Sequence, residues 1–220
     1  GNGTPRNLAV TVTLCVVTSF PWTETFEGSF LPACWSKISQ PGGFFSNDIT
    51  RSNQQNHTSG GTYSARFSSY YTADDYNQYL FTPPIQISSG YTDLSFWTRK
   101  YNTADELLEW GISTTTNPDD FTWYSIDLSD TQWNQTIVDL SGYTGQTIFI
   151  GFHYFGNYLY YVYLDDVSVK AHVPQAGLWT GNVSTDWNTT GNWDNGVIPT
   201  ATTDVTIPWN RVRYPNLTGT

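Results

Sequence analysis

The side chains with the most chemistry to offer are acids, and they come in couples: Asp74 with Asp75, Asp105 with Glu106 and Glu109 close behind, Asp119 with Asp120, and Asp165 with Asp166. Carboxylates support two kinds of chemistry here. A pair flanking a sugar at about 5–9.5 Å cleaves glycosidic bonds, whereas carboxylates joined by backbone carbonyls surround a hard cation such as calcium. Adjacency argues against the first, because neighbouring acids on a strand point to opposite faces and tandem acids in loops are solvated or cation-binding. His57, His153 and His172 are isolated in sequence, and no HExxH, GxSxG or phosphate-binding loop is present. The chain therefore reads as something other than an enzyme. Cys15 and Cys34 fit no CxxC spacing. In a chain of secreted character they read as a disulfide, worth about 3 kcal/mol by the loop-entropy argument, with two buried free thiols as the alternative.

The elements that must position these groups are strands. Helical periodicity is hard to find, whereas short β-branched and aromatic runs bounded by Gly, Pro, Asn and Asp recur at 8–14, 63–67, 79–81, 92–98, 107–113, 123–126, 135–138, 147–154 and 158–169. Their spacing predicts an antiparallel β-sandwich. In 147–154 the residues Ile148, Ile150, Phe152 and Tyr154 share one face, and His153 points outward as a surface or edge histidine. Along the next run the apolar face of Tyr161, Tyr163, Val167 and Val169 is interrupted by Asp165, while Asp166 shares the opposite face with Ser168 and Lys170. A carboxylate on a core face requires a partner: a metal, another cation or several backbone N–H groups. Aromatics on loops offer flat faces to sugars and anchors to proteins. Tyr70, Tyr71 and Tyr76, and the run from Asn157 to Tyr161, are the candidates, with edge-strand packing as the alternative.

Aromatic residues make up 17% of the chain and charged residues 13%, so Thr, Ser, Asn, Gln and Gly must clothe much of the surface, as in secreted proteins. A formal charge of -10 disfavours nucleic acid and attracts cations. No apolar stretch approaches the roughly 20 residues of a spanning helix, so no membrane insertion is expected. The absence of Met and of an export signal suggests a fragment with covalently linked neighbouring domains. Residues 172–176 read as a linker and 177–220 as the start of a second, Trp/Asn/Thr-rich β module. Its Trp179, Trp187 and Trp193 form either a sugar-stacking platform or a small core.

Three stretches, in order, carry a family resemblance. The first is Cys15 followed by Phe20-Pro-Trp-Thr-Glu-Thr-Phe-Glu-Gly28 and Leu31-Pro-Ala-Cys-Trp35. The second is Phe81-Thr-Pro-Pro-Ile-Gln-Ile-Ser-Ser-Gly90 with Leu94-Ser-Phe-Trp97. The third runs from Val138-Asp-Leu-Ser-Gly-Tyr143 through Leu164-Asp-Asp-Val-Ser-Val169. Residues 15–171 resemble the cleaved-adhesin or choice-of-anchor J domain, found beside gingipain-type proteases and in other bacterial surface proteins. The resemblance implies an all-β jelly-roll sandwich similar to MAM domains and carbohydrate-binding modules, with structural calcium joining the first and last strands. Glu27 and Asp165 match the positions expected to hold the ion, carbonyls near Gly28 would add ligands, and Asp166 is the second choice on its strand. Pairing of Asp165 with an arginine or with backbone amides is the alternative. The pair Cys15 and Cys34 matches a bridge expected in the family, and residues 1–14 resemble the tail of a preceding fibronectin-like domain or a lead-in strand. The function implied is a calcium-stabilised, non-catalytic adhesion or binding module, secreted or at the cell surface, that binds host protein or glycan. A structural spacer and a glycoside hydrolase accessory or catalytic domain are the alternatives.

Overall fold

The computed structural model describes residues 15–40, 47–70, 75–208 and 213–217. The expected strand at 8–14 lies outside the described residues. The chain divides into two compact units, 1–171 and 172–220. In order, the strands of the first unit are β1 (Trp22–Glu24), β2 (Ser36–Gln40), β3 (Thr50–Ser52), β4 (Ser64–Ser68), β5 (Tyr76–Phe81) and β6 (Ile85–Gln86). They continue as β7 (Asp93–Lys100), β8 (Leu107–Ser113), β9 (Thr122–Ser125), β10 (Asn134–Asp139), β11 (Thr147–Gly156) and β12 (Tyr161–Lys170).

They form two antiparallel sheets in a jelly-roll sandwich. One sheet runs β10-β7-β12-β4-β3, with β1 continuing the flank of β12 beyond β4. The other runs β2-β5-β11-β8-β9, with β6 continuing the flank of β11 beyond β5. Pro83 and Pro84 separate β5 from β6, since proline has no N–H for the ladder. Thr82 bridges that break: its N–H donates to Ile150 O and its hydroxyl oxygen accepts the Ile150 N–H, each at 3.0 Å. Ile148, Ile150, Phe152 and Tyr154 of β11 are all fully buried against Leu94, Phe96 and Leu164 of the facing sheet, as the alternation requires. Each such side chain contributes about 1.5–3 kcal/mol on leaving water.

The central strand β12 departs from the expected face. Val162, Leu164, Val167 and Val169 enter the core, whereas Tyr161, Tyr163 and Asp165 pack outside it. The register against β7 shifts between Asp165 and Ser168, and Asp166 sits at φ 48°. This is a β-bulge: one extra residue reverses which face follows, so a strict period of two misplaces the first half of the strand.

The Cys15–Cys34 disulfide is present, with Cα atoms 5.5 Å apart. Val17 bridges to the β6 segment, donating to Pro84 O at 2.8 Å and accepting from Gln86 N at 3.0 Å. In the second unit Trp179 and Trp193 are buried, at 0% and 2% exposure, and pack edge to face at 5.1 Å. Those two rings form a core, not a platform, and Asn192 beside them is buried with its amide bonded to Val183 N, Ser184 N, Ser184 Oγ and Asp186 O.

Candidate functional site

The acids expected to hold a cation converge on one loop, 53–63, which joins β3 to β4. Asp165 is fully buried beneath it. Its Oδ2 accepts from His57 N at 2.8 Å and Thr58 N at 3.2 Å, and its Oδ1 from Asp166 N at 2.8 Å. Burial pushes its carboxyl up to about 6, the amide hydrogen bonds offsetting only part of that effect. Asp166, turned by the bulge, accepts from Thr58 Oγ1 at 2.6 Å and meets His57 Nδ1 at 2.6 Å. His57 in turn lies flat on Trp97, with ring centres 3.9 Å apart. At the other end of the loop, Glu27 Oε1 accepts from Thr62 N and Tyr63 N, both at 2.8 Å. Gly61 makes that approach possible, because a Cβ there would stand 2.3 Å from Glu27 Oε1.

Hard carboxylate oxygens from Glu27, Asp165 and Asp166 are the donor chemistry that calcium takes. Here Glu27 Oε1 and the oxygens of Asp165 and Asp166 meet N–H and O–H groups. The carbonyls of Glu27 and Gly28 accept from the Arg51 guanidinium, which also covers the Tyr63 ring at 4.0 Å. The carbonyls near Gly28 are therefore arginine acceptors in this arrangement. Among the described residues no three His, Cys, Asp or Glu side chains form a ready metal cage.

The loop tyrosines divide. Tyr76 is fully buried and leaves the candidate surface, because as the first residue of β5 it points inward. Tyr71 lies outside the described residues. Tyr70 stays, and the sheet order explains its company. The end of β4, the start of β12 and the end of β7 are neighbours, so Tyr70, Tyr160 with Tyr161, and Tyr101 gather at one end of the sandwich. Tyr70 lies 5.2 Å from Tyr160 and 5.3 Å from Tyr161 between ring centres, and Tyr101 stacks on Tyr160 at 5.8 Å. Tyr158, at φ 54°, stands out of the loop and is 62% exposed. A shallow cavity of about 130 Å³ lies among Tyr70, Tyr158, Leu159 and Tyr160.

Glu106, first met as one of a tandem acid couple, turns out to hold this surface in place. It is buried, accepting Tyr160 N at 2.6 Å and the Tyr154 hydroxyl at 2.8 Å. Ser69 Oγ completes the brace by accepting Leu159 N at 3.1 Å and meeting Tyr154 Oη at 2.9 Å. Burial raises the Glu106 carboxyl above its ordinary range. Neither this role nor that of Tyr101 shows in the sequence, because both depend on which strand ends the topology brings together.

Residues 19–169 match the Cleaved Adhesin Domain family. Among solved structures, the K1 cleaved adhesin domain of Lys-gingipain from Porphyromonas gingivalis W83 is similar at 22% identity and a TM-score of 0.56, over 70% of this chain and 100% of that one. The K2 cleaved adhesin domain of Lys-gingipain gives 21% identity and a TM-score of 0.56, over 70% and 99%. TmCBM61, solved in complex with β-1,4-galactotriose, shares the fold at 15% identity and a TM-score of 0.50, over 67% and 94%. No curated protein matches the chain in sequence. With the family match extending over most of the chain, and a jelly roll of the same kind in the gingipain domains, this protein belongs to the Cleaved Adhesin Domain family.

Proposed function

We propose that the chain is a non-catalytic binding or adhesion module of a secreted or cell-surface protein, that its tyrosine-rich loop end meets a host protein or glycan, and that calcium held by Glu27 and Asp165, with Asp166 as a further ligand, supports its fold. The observation that carries the reading is the braced tyrosine surface. Tyr101, Tyr158 and Tyr160 are 43%, 62% and 36% exposed, yet the loop that presents Tyr158 and Tyr160 is fixed from beneath by Glu106 and Ser69, and Tyr101 stacks on Tyr160 from the end of β7. Exposed rings cost free energy unless something covers them, and rings held rigidly lose little entropy when that happens. Among the described residues no helix is long and apolar enough to cross a membrane. Calcium would act here as a brace, since the loop it would fix joins β3 to β4 and does not include the tyrosines. The test is a host-protein and glycan array probed with the wild type and with a Tyr101→Ala/Tyr158→Ala double variant. Binding at least tenfold weaker in the variant supports the reading. No binding by the wild type to any member would make the domain a spacer.

A further inference from the structure

The outer face of the second sheet carries a side-chain arrangement that the tyrosine surface does not use. His153 projects from β11 between two flanking strands. Its Nδ1 lies 2.9 Å from Glu109 Oε2 on β8, and its Nε2 lies 3.1 Å from Asn77 Oδ1 on β5. The ring lies flat on Tyr79, with centres 4.3 Å apart and planes 6° from parallel, and Trp123 of β9 stands 5.3 Å away. Two residues further along β11, Phe155 is 37% exposed between Asn77 and Leu107 in the register, and Leu107 is 39% exposed. A polar row across three strands thus runs beside an exposed aromatic plate.

The unused valences of this row indicate what it recognises. Glu109 Oε1 has no hydrogen-bond partner among the described residues, and one polar atom of the Asn77 amide faces away from His153 whichever way the amide is turned. These atoms stand on either side of one strand, Glu109 opposite His153 and Asn77 opposite Phe155 two residues further on, which puts their backbones about 12 Å apart by strand spacing and rise. Hydroxyl groups satisfy both, since they donate to a carboxylate and either donate to or accept from an amide. Charge narrows the ligand further. Strands β5, β8, β9 and β11 contain no lysine or arginine, while Glu109 is on the face and Asp119 and Asp120 lead into β9. An anion is repelled and a neutral polyol is not. Phe155 supplies the apolar surface on which the C–H face of a sugar ring stacks.

We infer that the Asn77–His153–Glu109 row and the Phe155 ring form a second binding face, specific for a neutral pyranose chain and separate from the tyrosine surface. His153 is the positioning residue, and Glu109, Asn77 and Phe155 touch the sugar. The test is calorimetric titration of the whole chain with xylohexaose, cellohexaose and β-1,4-galactotriose, and with an oligogalacturonate of similar length as the acidic comparison. At least one neutral probe is expected to bind and the acidic one to bind at least tenfold more weakly. Phe155→Ala and Glu109→Gln should each weaken that binding at least tenfold, while Tyr158→Ala changes it less than twofold. Should Phe155→Ala fail to fold, Glu109→Gln and sugar-induced shifts of the Trp123 indole N–H in an NMR titration carry the test. Binding by none of the neutral probes overturns the inference. So does binding that survives Glu109→Gln with no shift at Trp123. Neutral-sugar binding abolished by Tyr158→Ala would overturn it while supporting the loop-end reading.

Discussion

At the residue scale, Asp165 and Glu106 are two buried carboxylates with different neighbours and different consequences. Asp165 uses both oxygens on donors, so Asp165→Asn turns an amide N–H₂ toward other N–H or O–H groups and costs about 1–3 kcal/mol even without a metal. If calcium binds between Glu27 and Asp165, the wild type should melt higher in calcium than in chelator, gaining about 2.7 kcal/mol at a concentration 100 times the dissociation constant. Asp165→Asn should lose that gain, and a wild-type melt indifferent to calcium would remove the ion from the account. Glu106 makes a pH prediction. Its carboxyl is raised by burial from the ordinary 4.5, so the folded state binds the proton more tightly than the unfolded chain. The stability this brings is complete below about pH 4.5 and is lost as pH climbs through the raised value. Asp165 and Glu24 act in the same direction, while Asp48, lowered by Lys37 and Ser39, acts in the opposite one. In urea unfolding between pH 4 and 7, Glu106→Gln should therefore flatten the decline without abolishing it; parallel profiles would show that Glu106 ionises freely in the fold.

At the element scale, β9 shows how an edge strand is fastened by what its neighbours lack. Phe121 and Trp123 stack at 4.7 Å over Gly111 and Gly151, where an added Cβ would lie 2.8 Å from Thr122 O and 2.7 Å from Phe121 Cε1 respectively. Gly151→Ala should cost about 1–3 kcal/mol by overpacking. Gly111→Ala should cost at least as much, because a backbone carbonyl yields less readily than a ring. Urea midpoints and the near-ultraviolet signal of Trp123 would check both, and an unchanged midpoint would mean that β9 detaches at little cost. The same scale explains what the sequence made legible. β11 alternates cleanly because both its flanks are paired along a regular register, so Ile148, Ile150, Phe152 and Tyr154 could be placed from period alone. β12 could not, because its bulge at Asp165 and Asp166 reverses the face, and nothing in an Asp-Asp pair distinguishes a bulge from a regular strand. Glu27, Asp165 and Asp166 could be named, but their amide partners on the loop 53–63 come from residues whose side chains carry no signal for that role. Tyr76 and Tyr70 look alike in sequence; the place of Tyr76 as the first residue of β5 buries it, whereas Tyr70, beyond the end of β4, stays partly exposed.

At the scale of the whole molecule, a jelly roll must bring chain ends together that lie far apart in sequence, and in this domain the first and last strands pair directly, Trp22 opposite Val169 and Glu24 opposite Val167. β1 is only three residues long, so its ladder alone is a weak fastening. The Cys15–Cys34 bridge closes a loop of 19 residues around it, with β1 inside that loop. Opening the loop releases chain entropy in the unfolded state worth about 3 kcal/mol. For a protein of this size that corresponds to a fall of about 6–12 °C in melting temperature. The double variant Cys15→Ser/Cys34→Ser should show that fall, and reductant should produce it in the wild type while leaving the variant unmoved. Because Trp22, inside the segment the bridge encloses, stacks at 6.2 Å on Trp35 just beyond Cys34, their fluorescence should change before the global transition if β1 frays first. A single coincident transition with an unchanged midpoint would instead place the fastening of β1 in Phe26 and Trp35, which pack into the core at 1% and 6% exposure, and leave the disulfide without a part in closing the sandwich.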